Sequence, residues 1–188
     1  MRYLLLLFSC IIPYLASNAQ THYEKKFIQF AIGKGNIWYG EKIESDGIDF
    51  VRETLSKDTL FDWRYMTLYA KRGLPDSLVF VLTKSEHAFI NKELDGMKGF
   101  AWKKHLFKNS LLVNFEKWGA YRKAHQGKSS FNSDDYKNGG YRFTKPIFIR
   151  NKSVCFLYIT HHDDGKVLMY VRNRTNWRIK YVLDFWVS

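Results

Sequence analysis

The stretch from Trp177 to Val187 limits the fold more than any other part of the chain. Trp177, Ile179, Tyr181, Leu183, Phe185 and Val187 alternate with a second set that includes Arg178, Lys180 and Asp184. A period of two sends alternate side chains to opposite faces of a strand, so this segment is expected to be a β-strand with one buried face. Val154 to Thr160 and Lys166 to Arg172 are two further runs of strand length. Between them, His161-His162-Asp163-Asp164-Gly165 ends in Asp-Gly, a hairpin signal. Asn173-Arg174-Thr175-Asn176 supplies the next turn. Tyr141 to Ile149 leads in, with Pro146 marking an edge or a strand start, because proline cannot donate to a ladder. Together these segments predict an antiparallel meander of about four strands.

The N-terminal half reads differently. Tyr23, Phe27, Phe30 and Ala31 recur at helical spacing between His22 and Gly33, ahead of a Gly-Lys-Gly turn. Ser45-Asp46-Gly47 reads as a turn, and Ile48 to Leu55 fits strand or helix. Leu60 to Ala70 alternates like a strand, and Leu78 to Leu82 reads as its partner. Thr83-Lys84-Ser85-Glu86 matches a capping box: the Thr83 hydroxyl satisfies a free backbone N–H and Glu86 reaches back. The helix it opens runs to about Asp95, with Phe89, Ile90, Leu94 and Met97 inward, Gly96 as its stop and His87 facing solvent. Phe100 to Trp118 alternates aromatic and basic patches and fits a helix or a helix–strand pair. Helices first and strands last predict the α+β class: N-terminal helices and a capped central helix packed on an antiparallel sheet.

Residues 1 to 19 read as a removable export signal. Arg2 precedes an apolar run from Tyr3 to Leu15, and Ala16-Ser17-Asn18-Ala19 offers an Ala-x-Ala-like cleavage site. The run is shorter than the roughly 20 apolar residues of a membrane span. Leu7-Phe8-Ser9-Cys10 departs from a lipid-attachment motif at Phe8, so cleavage after Ala19 is expected rather than lipidation at Cys10. Residues 20 to 188 then form a single expected domain, periplasmic or secreted, with no later transmembrane segment. Cys155 is left as the sole thiol, within Val154-Cys155-Phe156-Leu157, and reads as a small buried hydrophobe.

The formal net charge is +12, and loss of Arg2 with the leader leaves +11. Residues 21 to 97 carry 11 basic and 12 acidic side chains, whereas residues 98 to 145 carry 11 basic and only three acidic ones. Such a field attracts polyanions. Trp102, Lys103, Lys104, Lys108, Trp118, Tyr121, Arg122, Lys123 and Lys128 are the expected ligand-binding residues, lysine and arginine supplying charge and the aromatics stacking. The candidate partners are an anionic glycan, a lipid headgroup or another polyanion. Residues 121 to 140, rich in Lys, Ser, Asn, Asp and Gly, are the expected ligand-contacting loop.

No sequence motif marks a catalytic centre, and no cofactor is expected. Gly-x-Ser-x-Gly, a phosphate-binding P-loop, a dinucleotide fingerprint and His-Glu-x-x-His are all missing. His161 to Asp164 is a cluster of metal-ligand types, but neighbours on a hairpin tip do not converge on one ion, so no metal site is expected. Asn151-Lys152-Ser153 and Asn173-Arg174-Thr175 match the N-glycosylation pattern, and both read as turns. A binding domain for an anionic partner is the leading expectation. The alternative is a hydrolase of a cell-envelope or dietary polymer, with Glu86, Glu93 or Asp95 as acid/base groups.

Tyr141-Arg142-Phe143-Thr144-Lys145-Pro146-Ile147-Phe148, followed by a hairpin, Asn176-Trp177-Arg178-Ile179 and the ending Phe185-Trp186-Val187-Ser188, resembles a stretch found in small exported Gram-negative bacterial proteins of unknown function. The resemblance covers Tyr141 to Ser188 and implies an α+β fold with a C-terminal meander; it carries no activity. Family-like members often have Cys and Gly where this chain has His161 to Gly165, so that loop does not transfer.

Overall fold

A computed structural model describes residues 22–33, 37–65, 75, 78–104, 106, 110–114, 140–161 and 164–187. The expected leader and nearly all of the expected loop over 121–140 lie outside the described residues. Three α-helices occur among the described residues: α1 (His22–Ile32), α2 (Ser45–Leu55) and α3 (Lys84–Asp95). The strands are β1 (Ile37–Gly40), β2 (Thr59–Phe61), β3 (Val79–Val81), β4 (Ser110–Val113), β5 (Gly140–Phe143), β6 (Ile147–Ile149), β7 (Val154–His161), β8 (Asp164–Asn173) and β9 (Asn176–Val187). This is an α+β fold.

The main sheet runs β4-β1-β5-β7-β8-β9, with β6 also paired to β7, and β2-β3 forms a separate pair. The C-terminal meander β7-β8-β9 is antiparallel throughout. One feature departs from the expected antiparallel sheet: β1 runs parallel to both β4 and β5. Parallel neighbours need a long crossover, and the α2–α3 segment supplies the one between β1 and β4. Between β5 and β6 the chain advances four residues, from Phe143 to Ile147, while β7 advances three, from Ile159 to Phe156. Thr144 sits in this bulge. Its N–H donates to Tyr158 O at 3.1 Å, and its hydroxyl accepts from Tyr158 N at 3.2 Å. Pro146, which has no N–H to offer, falls where the ladder is interrupted.

The pleat separates two layers. Phe148, Tyr170 and Trp177 face α1, where Phe27 meets their rings edge-on at 5.0–5.2 Å. Phe156 faces Phe80 of β3, Tyr158 faces Phe50 of α2, and Asp184 faces Thr54 of α2. The Lys145 ammonium lies 3.7 Å from Glu24 and links α1 to the β5–β6 bulge. Cys155 is fully buried, and burial pushes its thiol well above its ordinary range.

Several local expectations change. Ser45-Asp46-Gly47 opens α2 rather than a turn. A Cβ on Gly47 would stand 2.7 Å from the Tyr158 ring, so glycine lets the helix start pack against the sheet. The expected strand over Leu60 to Ala70 stops at Phe61. The buried Asp62 carboxylate accepts from Arg64 N and from its guanidinium, turning the chain into a 3₁₀ segment at Trp63–Tyr65; residues 66–70 lie outside the described residues. In α3, Ile90, Leu94 and the following Met97 are buried, but Phe89 is 42% exposed at the margin of that stripe. His87 faces β2–β3 rather than solvent, with Nε2 3.2 Å from the Asp58 carboxylate and only 17% of the side chain exposed.

The strict alternation in β9 is broken twice. Register shifts between Val167 and Leu168 and between Met169 and Tyr170 insert extra residues into β9. Each β-bulge swaps the faces beyond it. Ile179 therefore pairs with Tyr170 on the α1 face, while Tyr181 pairs with Met169 and donates its hydroxyl to Val79 O on the opposite face. The expected single apolar face is divided, and Ile179 and Val187 are exposed.

Candidate functional site

Of the residues expected to bind a ligand, three are described. Trp102 lies in the core at 3% exposure, its ring 5.0 Å from Phe100 and 4.9 Å from Phe143. Its backbone N–H donates to Glu41 O at 2.7 Å. In that position its ring packs against aromatic neighbours and presents no face to a solvent-borne ligand. Lys103 and Lys104 are exposed beside it. The Tyr39 hydroxyl donates to Lys103 O at 2.7 Å and accepts from Leu106 N at 3.1 Å, fixing the backbone that carries these lysines. Lys108, Trp118, Tyr121, Arg122, Lys123 and Lys128 lie outside the described residues.

A second cationic region arises where the sequence shows no single basic run. The β6–β7 turn, residues 150–153, carries Arg150 and Lys152. The β8–β9 turn and its flanks carry Arg172, Arg174 and Arg178. All five residues are exposed, and neither segment contains an acid. Arg172 N donates to Ser153 O at 2.8 Å, which holds the two turns side by side. Among the described residues no carboxylate pairs with Lys152, Arg172, Arg174 or Arg178. The net field at this end of the meander is therefore positive.

The β6–β7 turn is strained. Arg150, Asn151 and Lys152 have φ of 51°, 53° and 60° in succession. The left-handed region costs an L-residue roughly 1–2 kcal/mol, and among these three only Asn adopts it readily. Such strain persists where surrounding contacts over-determine it. Here Arg150 donates to Glu86 at 2.7 and 3.2 Å and to Val81 O at 2.8 Å, with its guanidinium 4.1 Å over the Phe80 ring. The Lys152 ammonium sits 4.9 Å over Tyr23. Ser153 closes the turn by donating both its N–H and its hydroxyl to Arg150 O.

Beside this turn opens a cleft of about 290 Å³. Phe89, Phe148 and Ile149 give it an apolar floor; Arg150, Asn151 and Lys152 form one rim and Ser85 and Glu86 the other. Glu86 is the anchor. It completes the capping box with Thr83, accepting from Thr83 N at 2.8 Å while Thr83 Oγ1 accepts from Glu86 N. Hydrogen bonding from Arg150, aided by the Thr83 N–H, lowers its carboxyl from 4.5 to about 2 against the opposing effect of desolvation. Stability from this group is present above its unfolded-state value and is lost as pH falls toward the folded one. Replacing Glu86 with Gln is expected to remove roughly 1–2 kcal/mol at neutral pH. It should also flatten the part of the stability–pH curve between about 4.5 and about 2. Denaturant melts of both forms across that range check it, and parallel acid slopes would contradict the assignment.

These contacts also bear on acid/base chemistry. A general acid needs a raised pKa. Glu86 is lowered, and Asp95 is lowered too, first by its bond from Lys98 and then by the nearby Arg52. Among the described residues no three His, Cys, Asp or Glu side chains gather to hold a metal, and no helix is long and apolar enough to cross a membrane. The signal missed in the sequence was the juxtaposition of the turns at Asn151-Lys152-Ser153 and Asn173-Arg174, joined through Arg172 N and Ser153 O: both read as turns, but nothing local places them together. Compared with protein-family models, curated proteins and solved structures, the chain gives no match.

Proposed function

We propose that the chain is exported and works as a non-enzymatic binding domain for an anionic partner, held at the cationic end of the meander. Lys152, Arg172, Arg174 and Arg178, none of them paired with a carboxylate among the described residues, gather on two adjoining turns and their flanks beside an aromatic-floored cleft, and this observation carries the reading. The cleft offers apolar contact, the turns offer charge, and the Glu86–Arg150 clamp holds the strained rim in place. Preformed geometry of this kind spares a ligand part of the ordering cost of binding. Lys103 and Lys104 extend the positive field elsewhere on the surface.

Heparin serves as the probe. Its affinity is expected to fall steadily as salt rises, since exposed charges are screened within about 8–10 Å at 0.1–0.15 M ionic strength. The triple variant K152E/R172E/R174E is expected to bind at least about tenfold more weakly at low salt, taking each exposed pair as worth up to about 1 kcal/mol. Affinity that stays level from low to high salt overturns the electrostatic reading. Export is tested separately by the mature N-terminus: mass spectrometry should find Gln20 first, and intact Met1 on the functional protein contradicts it.

A further inference from the structure

The α1 side of the same end carries exposed apolar groups that polyanion binding does not use. Phe30 is 49% exposed and Ile179 is 47% exposed. Both flank the buried Tyr170: the Phe30 ring lies 6.2 Å from it, and Ile179 is its cross-strand partner on β9. The aromatic layer continues through Phe27 to Trp177 at 5.0 Å, then to Phe148 at 5.9 Å and Tyr23 at 5.0 Å. Cations border this layer. Lys26 is exposed one helical turn before Phe30. Arg172 lies opposite Trp177 across the β8–β9 ladder, Arg174 is in the adjoining turn, and Lys152 covers Tyr23.

We propose that this end of the molecule seats on the surface of an anionic bilayer, with Phe30 and Ile179 entering the boundary between headgroups and acyl chains. The proposal rests on the anionic-partner reading and names the partner. Charge complementarity selects the lipid: a ring of Lys and Arg around exposed apolar side chains matches phosphate headgroups above hydrocarbon. A soluble glycan is a poorer fit, because Phe30 and Ile179 carry no hydrogen-bonding group and Ile179 has no ring face to stack on a sugar. Interfacial binding grows with buried apolar area and with attraction to anionic lipid. Each Lys or Arg near such a surface contributes about a fivefold gain in partitioning.

The test is co-sedimentation of the mature chain with vesicles of phosphatidylcholine alone or of phosphatidylcholine mixed with the anionic lipid phosphatidylglycerol, alongside heparin binding. Anionic vesicles are expected to take up the protein at least about tenfold better than neutral ones. Ile179→Ser and Phe30→Ser, with melting checked, are expected to lose about threefold to tenfold of that uptake and keep heparin affinity within about twofold. Ile179→Trp, with melting checked and the protein staying in the supernatant when vesicles are left out, should gain uptake, since tryptophan favours the interface. Heparin binding without vesicle uptake overturns the bilayer proposal and leaves the anionic-partner reading standing; loss of both removes both. Equal uptake by neutral and anionic vesicles, or no change in all three variants, also overturns the proposal.

Discussion

Phe27→Ala is expected to lower the free energy of unfolding by about 3–5 kcal/mol, the usual range for deleting a buried phenylalanine. Phe27 is 2% exposed. It stands edge-on to Phe148, Tyr170 and Trp177, which come from β6, β8 and β9. Aromatic contacts in this geometry contribute about 0.5–1.5 kcal/mol each beyond the area they bury. Phe27 and Ile28 are the two fully buried residues of α1, so Phe27 supplies a large share of the helix's apolar docking against the sheet. The loss should reach the candidate site, because Tyr23 beneath Lys152 is on the same helix. Urea denaturation measures the effect. A loss under about 1 kcal/mol would mean that α1 is not docked as described.

Gly165→Val is the second large effect. A Cβ there would lie 2.3 Å from Trp186 Nε1 and 2.5 Å from its Cε2. The backbone at Gly165 does not need a positive φ; the residue is small because the indole occupies the space. Valine forces the ring aside and breaks the bond from Trp186 Nε1 to the Tyr158 hydroxyl at 3.1 Å. Overpacking of this kind costs roughly 1–3 kcal/mol, and the lost half-buried hydrogen bond adds up to about 1 kcal/mol. Trp186→Leu should recover part of the loss in the double variant, because the two changes share one contact. Strictly additive effects would show that the clash is not the cause.

Local chemistry was legible. The capping box at Thr83 and Glu86, the helix from His22, the β6–β7–β8–β9 strand runs and the burial of Cys155 all follow from spacing, and all are present. What escaped depends on contacts between distant segments. Ser45-Asp46-Gly47 has turn composition, but Gly47 is there to admit the Tyr158 ring. No residue in Ile37–Gly40 announces a parallel partner. The two bulges in β9 divide its apolar face without leaving a break in the alternating sequence. The candidate site escaped for a related reason. Charge counted in blocks points to residues 98–145, where Trp102 is core. The cationic end described here is assembled from two short turns, joined by Arg172 N and Ser153 O, and each alone is unremarkable in charge.

The parallel placement of β1 has a consequence for how the molecule is made. A polypeptide leaves the ribosome with its first strand available early, yet the neighbours of that strand begin only at Ser110 and Gly140. The three C-terminal strands are emitted last and meet through short connections, so they close quickly, while contacts between remote segments form slowly. The order of synthesis and the order of assembly are thus opposed. Until Ser110 and then Gly140 have been made, β1 has no partner strand and its N–H and C=O groups stay bonded to water, an interval in which a chaperone has something to hold.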